Sequence, residues 1–322
     1  MNFYTNVSRY GNMLLYRGYE NGKKISKRIK FKPTLYVSSS KGDWTTLDGK
    51  PCAPIQFESM REAKEWIQNN KDTAGRQIYG NDRYISQFIN EHFPGHIEFN
   101  RNLINVTTID IEVQSDDGFP EPDQVNNPIT SITIKNNIDN TYYVWGLGNY
   151  NVDQSYMTTN RVVYVKCESE LELLHKFIIH WSTPSNTPDV ITGWNTMFFD
   201  IPYLINRTVR LLGEDVARKF SPWGLLNRRT VRVMNREQTT YDITGIGHAD
   251  YMELFQKYTY TAQESYALNH IAHVILGEKK LSYEEYGTLH SLYKNDHQKF
   301  IDYNIKDVEL VDRLEDKMGL IT

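Results

Sequence analysis

Residues 103–113, Leu-Ile-Asn-Val-Thr-Thr-Ile-Asp-Ile-Glu-Val, narrow the folds open to this chain more than any other stretch. The β-branched residues favour a strand, and side chains two apart on a strand share a face. Asp110 and Glu112 therefore stand side by side, while Ile109, Ile111 and Val113 point the other way. The apolar face needs a covering layer of helix or sheet. The acidic face admits two readings. Adjacent carboxylates repel, and a hard divalent cation relieves them; a solvated face of an antiparallel strand carries the same pattern.

The segments after this strand define its surroundings. Strand-like runs follow at Ile129–Lys135 and Thr141–Trp145, with Glu121-Pro122-Asp123 and Asn127-Pro128 punctuating the loop before them. Ser169 and Glu172 form a capping box ahead of a helical stripe of Leu171, Leu174, Ile178 and Trp181. Asp189–Trp194 reads as a short buried strand, and a helix begins near Pro202 and stops at Gly213. A last helix runs from about His297 to Leu314. Three strands, a helix, a strand and further helices predict an α/β domain with a mixed sheet over 102–322.

Residues 1–101 predict a smaller α+β domain. Asn21-Gly22 is a hairpin signal between Met13–Tyr19 and Ile25–Val37. Ser59 to Glu62 fits a second capping box, with Met60, Ala63 and Ile67 on one helical face. Tyr84, Ile85, Phe88 and Ile89 make another stripe, stopped by Pro94-Gly95. The basic run Lys23, Lys24, Lys27, Arg28, Lys30, Lys32 reads as a solvated strand face.

A length of 322 residues suits two such domains, at roughly 150 residues each. Thirty-six basic against forty acidic residues give a net charge of −4, so nucleic-acid binding must rest on local patches or bound cations. The 22 tyrosines serve core edges before they serve base stacking. Cys52 and Cys167 make no disulfide framework and no zinc cluster. No apolar run approaches a bilayer span, and the first residues lack a secretory pattern, so a soluble cytoplasmic protein is expected.

Two further acidic motifs follow the first. In Asn195-Thr196-Met197-Phe198-Phe199-Asp200, Asp200 precedes Pro202 by two residues, which suits a helix N-cap; the other reading delivers a third carboxylate beside the strand pair. In Tyr303-Asn304-Ile305-Lys306-Asp307, Tyr303 and Asp307 lie one helical turn apart on one face, and a solvated aspartate beside an edge tyrosine is the plain alternative.

Taken together, Asp-x-Glu, Asn-x-x-x-Phe-Asp and Tyr-x-x-x-Asp resemble the exonuclease motifs of the DEDD superfamily. Tyr303 matches its DEDDy branch; the other branch needs a histidine where Asp302 stands. Ile191-Thr192-Gly193-Trp194-Asn195, Phe199-Asp200-Ile201-Pro202-Tyr203, Phe220-Ser221-Pro222, Asp250-Tyr251 and Cys52-Ala53-Pro54 extend the resemblance to B-family replicative DNA polymerases, those of T-even-type bacteriophages most closely. The likeness covers essentially the whole chain.

This resemblance implies an RNase H-like 3′–5′ exonuclease domain behind a polymerase-type N-terminal domain. It implies that Asp110 bridges two divalent ions, that Glu112 and Asp307 complete the tighter site, and that Asp200 holds the second. Oxygen ligands favour Mg²⁺, with Mn²⁺ as substitute. Tyr303 would orient the attacking water and Lys280 would offset developing charge. Asn195, Phe198 and Phe199 would contact DNA. Arg228, Arg229, Arg232 and Arg236, around Asn235, would sit on a hairpin that helps part primer from template.

The palm motifs Asp-x-x-Ser-Leu-Tyr-Pro and Tyr-x-Asp-Thr-Asp do not occur in the sequence, and Ser291-Leu292-Tyr293 imitates only part of the first. The expected partners are single-stranded or primer-template DNA and a second polypeptide carrying palm, fingers and thumb. RNA at the N-terminal domain is a further expected partner and a membrane is not. The expected location is the cytoplasm of an infected bacterium. A split subunit and a shortened chain both fit the sequence. A stand-alone DEDDy nuclease acting on RNA, or a binding module with a residual nuclease site, are the other readings.

Overall fold

The computed structural model describes residues 1–71, 77–80, 83–115, 118–157, 161–233 and 236–321, which divide into two units, Met1–Asn100 and Arg101–Thr322. In the first unit, β1 (Asn2–Tyr10), β2 (Met13–Glu20) and β3 (Lys23–Ile29) form an antiparallel sheet. Asn21 and Gly22 turn β2 into β3 with φ of +51° and +77°, as a two-residue hairpin requires. A second sheet in the order β5-β6-β4-β7 joins β4 (Thr34–Ser38), β5 (Trp44–Thr45), β6 (Pro51–Gln56) and β7 (Ile78–Tyr79).

Helices α1 (Met60–Asn70) and α2 (Tyr84–His92) pack over a core of Leu14, Tyr16, Phe31, Leu35, Met60 and Phe88. Ser59 caps α1 by accepting from the Glu62 N–H at 3.1 Å, whereas the Glu62 carboxylate reaches the N–H of Glu58 instead of the cap residue. The run Ile25–Val37 is two strands in two sheets, not one. Phe31 turns into the core, and Pro33, with no N–H, cannot carry a ladder onward. Lys23, Lys27 and Arg28 on β3 are exposed, a solvated face.

The second unit comprises β8 (Val106–Val113), β9 (Ile129–Asn136), β10 (Thr141–Gly146), β11 (Arg161–Lys166), α3 (Glu170–Ser182), β12 (Val190–Thr192), α4 (Asp200–Leu212), α5 (Glu214–Ala217), β13 (Leu226–Val233), β14 (Arg236–Ile243), β15 (Gly247–His248), α6 (Tyr251–Tyr258), α7 (Leu268–Leu276), α8 (Leu289–Asn295) and α9 (His297–Met318). Its six-stranded sheet has the order β11-β10-β9-β8-β12-β15. Pairs β8–β9 and β9–β10 are antiparallel and the rest parallel, the mixed sheet expected of the α/β domain. Strand β8 begins at Val106 because residues 101–103 make a 3-10 turn and the Asn105 N–H is taken by buried Asp189 at 3.0 Å.

The two faces of this sheet differ. Ile109, Ile111, Ile132 and Ile134 pack with Leu173, Leu174, Phe177 and Ile178 of α3. Leu171 is 49% exposed and lies outside the stripe expected of it; α3 is rolled so that Leu173 and Phe177 take the core positions. On the opposite face lie Asp110, Glu112, Ser131, Thr133 and Lys135, covered by α9, whose Asp312 pairs with Lys135. Helix α9 is capped by Asp296, which accepts from the Lys299 N–H at 3.0 Å, and ends at left-handed Gly319. No helix among the described residues is long and apolar enough to cross a membrane. Cys52 and Cys167 are buried free thiols.

Candidate active site

The acidic face of β8 is not solvated. Strand β8 is central in the sheet, α9 covers Asp110 and Glu112, and Glu112 is 8% exposed. Helix α9 brings Asp307 down onto them, and ligand oxygens of Asp110, Glu112 and Asp307 all lie within 4.8 Å of one another. Asp307 is 3% exposed, so the solvated-aspartate alternative for the third motif does not hold. Lys280, from the loop after α7, donates to Asp307 Oδ2 and lies 3.3 Å from the Tyr303 hydroxyl.

Asp200 arrives by a different route. Strand β12 stops at Thr192, opposite Thr108. Gly193 then passes so close to β8 that a Cβ would sit 2.4 Å from the Ile109 carbonyl oxygen. Beyond that point the Asp200 carboxylate accepts from the Ile111 N–H at 3.0 Å, continuing the ladder where the strand has ended. Asp200 is the first residue of α4 and its side chain bonds to β8, so the N-cap alternative is overturned; Phe199 occupies the cap position without a side-chain bond. Asp200 stands outside the 4.8 Å trio, although its charge is felt at Asp110.

The loop between β12 and α4 is clamped by Asp250. Its carboxylate accepts from the N–H groups of Met197 at 2.8 Å and Asn195 at 3.3 Å, and it also caps α6 through Met252 and Glu253. Asn195 holds a left-handed φ of +65°, which the short amide side chain tolerates. Phe199 lines a cleft of about 500 Å³ together with Glu112, Phe119, Tyr283, Leu289 and His290. Phe119 is 71% exposed, and its ring lies 4.9 Å from that of Phe199. Phe198 is half-buried and outside this lining, so the two phenylalanines have different surroundings.

The electrostatics mark the trio as uncompensated. Burial pushes the Asp110 carboxyl up, helped by Asp200, Asp307 and Glu112. Burial likewise pushes Glu112 up to about 8, with Asp307 adding to the shift and Lys280 opposing it. Asp200 is pushed up to about 7 by burial, against the pull of the Ile111 N–H. Burial raises Asp307 too, and Lys280 holds it back. For Lys280 itself burial favours the neutral amine, but Asp307 and Tyr303 outweigh it and the ammonium is retained. One buried oxygen, Asp307 Oδ1, has no hydrogen-bond partner among the described residues. Several hard oxygen donors, ionised only at a cost, and one of them orphaned, fit a divalent cation.

The basic hairpin forms as β13 and β14, in register from Leu226↔Ile243 to Val233↔Arg236. Arg228 pairs with Asp123 at 2.9 Å and Arg229 with Asp242 at 2.7 Å, so two of its four arginines are already neutralised. Arg232 is exposed. Asn235 and the Arg236 side chain lie outside the described residues.

Sequence reasoning gave no role to Asn304, whose amide donates to Asp110 Oδ2 at 2.6 Å, nor to Phe119, Tyr283 and Asp250. Asn304 lies three residues before Asp307, and helical spacing alone would have put it on the same face.

The sequence matches the family model "DNA polymerase family B, exonuclease domain" over residues 67–271. That span includes Asp110, Glu112 and Asp200 and stops short of Lys280, Tyr303 and Asp307. The chain is similar to the DNA-directed DNA polymerase of Escherichia phage RB69, at 31% identity over 99% of this chain and 37% of that protein. It is 29% identical to the DNA-directed DNA polymerase of Enterobacteria phage T4 over the same shares of both chains. A DNA polymerase delta catalytic subunit from Dictyostelium discoideum is 26% identical over 67% of this chain and 20% of its own length. The chain thus spans 37% of the length of the phage relatives it matches.

Proposed function

The chain belongs to DNA polymerase family B as a carrier of its exonuclease domain, and from that membership we propose that the second unit is a 3′–5′ exonuclease. Its substrate is the terminal phosphodiester of single-stranded or frayed DNA. The carrying observation is the trio Asp110, Glu112 and Asp307, with oxygens within 4.8 Å and one buried oxygen unpartnered.

Asp110, Glu112 and Asp307, with Asp200 beside them, would hold Mg²⁺, for which Mn²⁺ can stand in. Bound there, divalent ions supply Lewis-acid stabilisation and activate water, the chemistry that phosphodiester hydrolysis needs.

The remaining residues bind and orient. The Tyr303 hydroxyl, which accepts from Lys280 at 3.3 Å and whose ring meets Tyr283 edge-to-face at 5.5 Å, would orient the attacking water. The Lys280 ammonium offsets charge gathering on the phosphate oxygens. Phe119, Phe199 and Tyr283 offer aromatic faces to the terminal base, and stacking of this kind reads no particular sequence, as proofreading requires. Exposed Arg232 on the β13–β14 hairpin meets the phosphate backbone. The palm motifs that DNA synthesis needs do not occur among these 322 residues, so the function proposed for them is hydrolysis.

The test is Mg²⁺-dependent release of mononucleotides from single-stranded DNA, from RNA and from DNA with a blocked 3′ end. DNA with a free 3′ end should be degraded fastest. Asp110→Ala should reduce that rate by roughly a thousandfold, several kcal/mol of transition-state stabilisation. Near wild-type turnover by Asp110→Ala overturns the site, and a preference for RNA overturns the substrate.

A further inference from the structure

Asn304 is fully buried on α9, among Ile301, Ile305 and Val308 and one turn from buried Asp307. An amide in such a place is costly unless each end is bonded. Both are. Its Oδ1 accepts from Ser131 Oγ at 2.8 Å and Thr133 Oγ1 at 2.5 Å, and its Nδ2 donates to Asp110 Oδ2 at 2.6 Å. For the ionised, cation-binding form of Asp110 this is the amide's direction, because a carboxylate only accepts while hydroxyls can donate. Ser131 and Thr133 are themselves fully buried on β9, alternating with Ile132 and Ile134, which face the other core. A core built for stability alone would place apolar side chains at these positions at similar volume.

We propose that Asn304 is a positioning residue that holds the Asp110 carboxylate in its cation-binding orientation, with Ser131 and Thr133 aligning the amide. This rests on the reading of Asp110 as a cation ligand. Repulsion from Glu112 and Asp307 tends to rotate Asp110 away from them while the cation is absent. A donor held on the same helix as Asp307 anchors one carboxylate oxygen and resists that rotation, so less order has to be created when the cation binds. Asn304 follows Tyr303 and stands one turn before Asp307. The same bond therefore ties the strand carrying Asp110 to the helix carrying the other two groups.

The experiment is calorimetric titration of the whole chain with Mn²⁺ alone, alongside thermal unfolding and single-stranded DNA hydrolysis. Asn304→Ala should weaken Mn²⁺ binding roughly tenfold, the usual scale for groups behind a ligand. It should lower kcat and leave KM for DNA in place. Thr133→Val, which keeps volume and touches no carboxylate, should weaken Mn²⁺ binding about two- to fivefold, less than the roughly tenfold of a group bonded to the ligand itself, because it acts one bond further away. The double variant should bind no worse than Asn304→Ala, because Thr133 acts through Asn304. A folded Asn304→Ala that binds Mn²⁺ like wild type overturns the proposal. If that variant does not fold, Thr133→Val decides: unchanged Mn²⁺ affinity overturns it, since a purely structural hydroxyl lowers the melting temperature alone. Asp110→Ala separates the two levels. If it too binds Mn²⁺ like wild type, the cation-site reading fails, whereas loss there with no effect at Asn304 overturns only the inference drawn here.

Discussion

Replacing Glu112 by Gln in the cation-free protein isolates the cost of gathering carboxylates under α9. Burial, reinforced by Asp307 and Asp200, pushes the Glu112 carboxyl up from 4.5 to about 8. A carboxyl raised on folding binds its proton more tightly in the native state. Its contribution to stability is complete below the unfolded pKa and is lost as pH rises through the folded one. For Glu112 that window runs from about 4.5 to about 8. The slope is at most about 1.4 kcal/mol per pH unit, a ceiling of about 3 kcal/mol between roughly pH 6 and 8. Protons are shared among neighbouring carboxylates, so about 1–2 kcal/mol is the expected loss from this group. Gln keeps the shape and cannot ionise. Urea unfolding in EDTA, followed by tryptophan fluorescence, should give the variant a flatter stability–pH curve than wild type by that amount. Saturating Mg²⁺ should then restore wild type at high pH and help the variant little. Parallel curves for the two proteins in EDTA would refute the electrostatic argument.

Three other outcomes follow from the same geometry. Tyr303→Phe removes the hydroxyl proposed to position water without being a ligand, so hydrolysis should slow about 10²-fold while Mn²⁺ affinity by calorimetry stays unchanged. Lys280→Met leaves Asp307 buried without its cation; cation-free stability should fall by about 2–3 kcal/mol, less than for a pair whose partner cannot take up a proton, and the Mg²⁺-induced rise in melting temperature should exceed that of wild type. Asp250→Ala frees the loop N–H groups of Asn195 and Met197 and uncaps α6, costing about 2–3 kcal/mol in urea unfolding and weakening single-stranded DNA binding measured by fluorescence anisotropy in EDTA.

The strands and helices that frame the site were legible because periodicity and burial agree. In β8 and β9 the alternation is plain, and α9 carries an apolar stripe long enough to read. Strand β15 was not legible: its two residues, Gly247 and His248, become a strand through parallel pairing to β12, and nothing local marks them. Strand β11 is a short run whose pairing to β10 is a tertiary event. At the site, the carboxylates were legible because few other side chains bind a hard cation. The route of Asp200 was not, since a residue placed like a helix cap turned out to extend a sheet ladder. Asp250 does cap its helix, and its second task on the Asn195 loop leaves no trace in spacing. Phe198 and Phe199 are adjacent and alike in sequence, and only the backbone entering α4 separates their surroundings.

The trio of carboxylates is drawn from strand β8 and helix α9, which are nearly two hundred positions apart along the chain. A ribosome adding roughly 5–20 residues per second needs about 10–40 s to pass from Asp110 to Asp307. Through that interval the nascent polypeptide displays Asp110 and Glu112 without the third carboxylate, and for most of it without the lysine and the tyrosine as well. At the proposed site, cutting competence would therefore appear only when α9 docks and completes the carboxylate trio. The helix that completes the proposed site also anchors two apolar clusters, through Phe300, Ile301, Ile305 and Val308 and through Leu310, Val311 and Leu314, so the site would be as durable as the core of the domain.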